Sequence, residues 1–314
     1  MGFFSFIGSA ISTVGSAISS GISKLGSAIC TGIGAAGKML AGLATTAGGF
    51  LGKLAASASG FLGKMCSVIL GPVLGPIIGP ILIELAIQFL VKVISGTAQK
   101  EGVVDEDERP EDIGYRMQEA ENHKGEWKQR EEFASLKEYT DYLKKQIPEV
   151  DENYIKANHL SCQLLGMQAE SELLSEKYRI GLSQNFLEMA ARTALESDEL
   201  RAFVDAYKKL GYKTLDVEAF FTGRLSGREA DAIRDALLSA LGVYYPEKTQ
   251  MERIMRLNEI ANAATDDYAF AKQYAEQLKT GEVGAELQRL RAEGHMKGKD
   301  TVLMDKLNLQ EKQV

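Results

Sequence analysis

The first 83 residues contain no acidic side chain, and the first carboxylate of the chain is Glu84. Arginine is missing for longer: residues 1–100 hold six lysines, one glutamate and no arginine, a net charge of +5. The chain has only three cysteines, Cys30, Cys66 and Cys162, with no CxxC spacing. That excludes a disulfide framework, and the odd number fits synthesis in a reducing cytoplasm. Its three histidines, His123, His159 and His295, form no metal-ligand constellation. His159 and Cys162 share a helical face, but a pair is too few ligands for zinc. No period-two run marks a strand, no phosphate-cradling glycine loop follows one, and no local motif suggests a Ser/His/Asp or Cys/His arrangement. No enzyme, cofactor or metal is expected. The N-terminus has no charge before Lys24, so it does not read as a cleavable signal peptide. Myristoylation at Gly2 wants Ser or Thr at position six, which is Phe6.

What the N-terminal part does have is a repeat. From Gly15 to Ile69 the chain divides into blocks of eleven that begin Gly15, Gly26, Gly37, Gly48 and Ser59. The fourth position is always a large aliphatic, Ile18, Ile29, Leu40, Leu51 and Leu62, and the eighth runs Ile22, Ile33, Ala44, Ala55, Cys66. The register extends backward through Ile7 and Ile11. Eleven residues make almost three helical turns, so the repeat keeps one apolar stripe on one face. One long helix, or a few broken ones, is predicted from about Phe3 to Ile69.

The opposite face is serine, threonine and glycine, with Lys24, Lys38, Lys53 and Lys64 as its only charges. A helical glycine costs roughly 1 kcal/mol against alanine, so the segment is a poor helix in water and needs a bilayer, a partner surface or its own close packing. Small residues at helical spacing let backbones approach, as helices do in lipid. Gly15, Gly26, Gly37 and Gly48 are therefore candidate packing glycines. A soluble right-handed coiled coil and a flexible linker are the competing readings.

After the repeat, Pro72, Pro76 and Pro80 each follow a glycine, and Cys66–Ile83 is an 18-residue stretch without charge. Either Val68–Ile94 is a kinked spanning or re-entrant element, or Pro80 opens a soluble amphipathic helix. Glu84 and Gln88 lie four apart, with Lys92 continuing the row. Glu84 becomes a pore-lining candidate if the segment is in a membrane.

Residues 96–112 are acidic and aperiodic, and form the expected linker. Subtracting the first 100 residues from the totals of 36 basic and 43 acidic leaves 30 and 42, a net of −12 for 101–314. That balance argues against general nucleic-acid binding. Residues 113–288 read as an all-α acidic domain. Capping boxes stand at Ser135–Glu138, Ser226–Glu229 and Thr249–Glu252, a helix is expected from Asp151 to Ile180, and Thr265 is the expected cap of the helix 266–279. Residues 289–314 are a charged tail expected to fray. The fold class is all-α: long glycine-rich, eleven-residue-repeat helices over residues 1–95, then a C-terminal bundle expected to fold alone.

The N-terminal pattern MGFFSFIGSAISTVGSAI and its Gly-Ser-Ala-Ile repeats resemble two groups. One is the glycine-zipper, membrane-permeabilising effectors that bacterial contractile secretion systems inject into competitors. The other is virion proteins, phage pilot and ejection proteins among them, whose glycine-rich apolar termini breach a host membrane. The likeness covers residues 1–95, and no spike-associated adaptor motif accompanies it. It implies a pore-forming or permeabilising protein acting at a target or host membrane. The bilayer, a self-associated copy and a delivery machine, chaperone or capsid are its expected partners. A non-toxic scaffold or curvature sensor is a third class, since Ser/Gly/Thr faces also resemble lipid-packing sensors.

Overall fold

The repeat folds back on itself. In the computed structural model, which describes residues 24–69 and 73–309, α1 (Lys24–Thr46) and α2 (Gly49–Ile69) pack as a hairpin joined through Ala47 and Gly48. Gly49 has φ +60°, and a Cβ on Gly52 would stand 2.4 Å from the Ala47 carbonyl oxygen, so the turn is built on glycine. Of the broken and unbroken alternatives, the described part of the repeat takes the broken one. Ile7, Ile11, Gly15, Ile18 and Ile22 lie outside the described residues.

The stripe of the hairpin faces protein. Leu40, Leu51 and Leu62 are buried at position four and Ile33 and Ala55 at position eight, while Ile29 is half-buried. Lys38, Lys53 and Lys64 are exposed on the other face. Beneath the hairpin runs α3 (Ile78–Lys100), which carries Pro80 in its first turn, where a missing N–H costs no helical bond. Its buried residues lie all round it, so it is a core helix and not an amphipathic one.

α4 (Pro110–Asn122) opens with proline at its first turn and crosses α7 (His159–Tyr178) at very close range. A Cβ on Gly114 would stand 1.9 Å from the Cys162 carbonyl oxygen, and one on Gly166 would stand 1.8 Å from that of Pro110. Only glycine at both places allows this crossing. Between them lie α5 (Leu136–Gln146), capped by Ser135, and α6 (Glu152–Ala157), capped by Asp151. The helix expected over 151–180 is thus two helices, divided at Asn158.

The rest is helical: α8 (Gln184–Arg192), α9 (Ser197–Lys209), α10 (Glu218–Phe221), α11 (Gly227–Tyr244) and α12 (Gln250–Thr265). Then follow α13 (Asp267–Gln273), α14 (Ala275–Lys279), α15 (Gly281–Ala292) and α16 (Lys299–Lys306). Ser226 and Thr249 make the expected capping boxes. Asp266, not Thr265, caps α13, because its carboxylate reaches the Ala269 N–H at 2.7 Å. The 266–279 run breaks in two at Tyr274. The expected fraying after 289 is corrected for the described residues, since α16 packs Leu303 and Met304 into the core. One parallel pair of two-residue strands, β1 (Gly181–Leu182) and β2 (Thr214–Leu215), ties the end of α7 to the chain after α9. The chain is all-α apart from this pair among the described residues. Its hydrophobic core is continuous from Ile33 to Leu309 and passes through the 96–112 segment, where Val103, Val104 and Ala98 are buried.

Candidate functional site

α3 is 23 residues long and has a mean hydropathy of 1.8 over its most apolar 18-residue window. At 1.5 Å per residue a helix of that length spans the hydrocarbon of a bilayer. Here 78% of the window is buried inside the protein. The cover is α1 and α2 on one side, α7 on another, and α8 and α9 beyond.

Two polar side chains of α3, Gln88 and Ser95, meet α7 in a seam. Gln88 Nε2 donates to Glu84 Oε1 at 3.0 Å and to Gln163 Oε1 at 3.1 Å. Gln163 Nε2 in turn donates to Gln88 Oε1 at 3.1 Å and to Glu111 Oε1, on α4, at 3.0 Å. His159 Nε2 stands 3.0 Å from the same Glu111 oxygen. Burial opposes ionisation of Glu111, but the hydrogen bond and charge of His159 outweigh it and hold the carboxyl below its usual range. Glu84, the pore-lining candidate, is thus half-buried and occupied by a neighbour on its own helix.

Two turns on, Ser95 Oγ donates to Glu170 Oε2 at 2.5 Å. Glu170 is wholly buried on α7, and its other oxygen has no partner among the described residues. Burial pushes its carboxyl up to about 8, against the smaller opposing effect of Ser95. A third fastening holds the start of α3. Asp300, on α16, accepts the Ile78 N–H at 2.8 Å and the Ile77 N–H at 3.2 Å, and caps a helix end that has no side-chain cap of its own. The approach requires Gly75, whose Cβ would stand 2.3 Å from the Asp300 carboxyl carbon.

Of the candidate packing glycines, Gly37 faces Leu62 Cδ2 at an ordinary 3.7 Å and Gly48 faces Lys124 Nζ at 3.2 Å; Gly26 falls within α1. Tighter contacts to distant elements occur at Gly75, Gly114 and Gly166. Sequence reasoning missed these, along with Ser95, Glu170 and Asp300. A glycine inside the apolar run of α7 was the only available signal, because Asp300 and α3 are 222 residues apart.

Cys162 is buried and accepts from Gln118 Nε2 at 3.3 Å, while His123 stacks on Trp127 with centroids 4.1 Å apart. Tyr244 donates to Asp205 at 2.7 Å, Tyr245 donates to Glu196 at 3.0 Å, and Phe220 packs on Phe221. Among the described residues no group of three or more His, Cys, Asp or Glu side chains is arranged to hold a metal. Comparison with protein families, curated proteins and solved structures gives no match.

Proposed function

We propose that this is a membrane-permeabilising protein whose apolar helices are stored inside a helical sheath and delivered to a bilayer. The finer architecture we propose is a glycine-repeat, membrane-active part over residues 1–95 and an acidic C-terminal bundle that holds it until use. The observation that carries the reading is α3: a helix of membrane-spanning length and hydropathy, 78% of whose apolar window is buried against other helices of the chain. Its Gln88 and Ser95 side chains bond to α7, and the N–H groups at its start bond to Asp300 of α16.

On this reading the chemistry is physical rather than catalytic. α3 exchanges one apolar environment for another, so the hydrophobic cost of leaving the core is recovered in hydrocarbon. The exposed lysines of α1 and α2 face anionic headgroups, and the hairpin lies along the interface while α3 crosses. Glu84 and Gln88 then face the interior of a self-associated assembly, because a carboxylate is costly against lipid.

The test uses the full chain with vesicles of phosphatidylglycerol and phosphatidylcholine. Release of an entrapped dye, together with a protease-protected fragment covering 78–100, is the expected result. Binding without release and with complete digestion of α3 would leave it an ordinary core helix and end the proposal.

A further inference from the structure

The two cysteines of the α1–α2 hairpin lie at matching positions. Cys30 is 17 residues before Ala47 and Cys66 is 18 residues after Gly48, so antiparallel helices rising about 1.5 Å per residue bring both to one level. They also lie on the edges that meet. A Cβ on Gly37 would stand 3.7 Å from Leu62 Cδ2. Cys30 is seven residues before Gly37, two turns along the same face, and Cys66 is four residues after Leu62, one turn along its face. Cys30 is exposed and Cys66 half-buried, whereas Cys162 is buried elsewhere in the core. Burial raises the Cys66 thiol above its ordinary range, and the nearby charge of Cys30 adds to the rise.

We propose that Cys30 and Cys66 form a redox pair, which a small-molecule disulfide converts into an intrachain bond pinning α1 to α2. The exposed Cys30 thiolate attacks one sulfur of the small disulfide, forms a mixed disulfide and releases one thiol. Cys66, after losing its proton to solvent, attacks the Cys30 sulfur and displaces the second thiol. Two electrons pass from the pair to the oxidant, which leaves as two thiols. The closed bond ties the open end of the hairpin, opposite the glycine turn, and the helices can no longer splay there.

The experiment treats the native full chain with oxidised glutathione, followed by thiol titration and peptide mapping without reductant. The expected result is loss of two of the three thiols, a linked Cys30–Cys66 peptide, Cys162 still reduced, and slower proteolysis of α1. Cys162→Ser should behave the same, and Cys30→Ser should leave Cys66 as a thiol. A stable glutathione adduct on Cys30 with Cys66 free, a Cys30–Cys30 dimer, or no reaction would each overturn the pair. None of these outcomes depends on a membrane, so they are separate from the test of dye release.

Discussion

At Glu170 a carboxyl is held where its ionised form is poorly solvated, and the consequence is a pH dependence with a definite sign. Its value is about 8 in the folded protein against an ordinary 4.5. The folded state therefore holds a proton that the unfolded state has released between those limits. The contribution of this group to stability is largest below about 4.5 and is lost as pH rises toward about 8, at up to about 1.4 kcal/mol per pH unit. Glu170→Gln should remove that slope. Urea midpoints from pH 4 to 9 check it, and parallel curves for the two proteins would refute it. Asp300 makes a second residue-scale prediction. Asp300→Ala leaves the Ile77 and Ile78 N–H groups uncapped and should cost about 1–2 kcal/mol, while Asp300→Asn should keep most of the cap because the amide oxygen still accepts. Equal losses for both would mean that the charge and not the hydrogen bonds holds the start of α3.

Helices and their ends were largely legible in the sequence, because caps are local chemistry: Ser135, Ser226 and Thr249 each accept the N–H three residues on. The stripe was legible too, since the period fixes which residues share a face. What that face meets is not a local property, and the same Leu40, Leu51 and Leu62 satisfy a core as well as a bilayer. The break at Ala47–Gly48 was hidden because glycine recurs throughout the repeat, so the turn glycines look like repeat positions. Close crossings were misplaced for a related reason, as glycine recurs along α1 and occurs once in α7. The contrast can be measured. Gly114→Ala or Gly166→Ala forces a methyl onto a backbone carbonyl and should destabilise by about 3 kcal/mol or more. Gly32→Ala, Gly34→Ala and Gly42→Ala meet open space and should stabilise α1 by up to about 1 kcal/mol each. Thermal or urea unfolding of the set decides. A loss at the α1 positions comparable to that at Gly166 would mean that the outer face of α1 is not free.

For the whole molecule, the charge split along the chain is not a split in the core. The basic N-terminal helices and the acidic C-terminal ones share one apolar cluster, with α3 in the middle of it. A fragment of 101–314, expected from composition to fold by itself, would expose the faces of α7, α8 and α9 that cover α3. It should therefore bind a hydrophobic dye and unfold with little cooperativity unless a peptide of 78–100 is supplied. A cooperative fragment with no dye binding would show instead that the C-terminal helices close without α3.

On the function proposed here, α3 is held by its sheath and leaves it for a bilayer. Amide hydrogen exchange on the full chain, with and without phosphatidylglycerol vesicles, tests it most directly. In buffer α3 and α7 should exchange slowly together, because they open together. With vesicles, α3 should stay protected while α7, from Gln163 to Glu170, becomes fast. If α7 keeps its protection on vesicle-bound protein, α3 has not left the core, and the account is wrong.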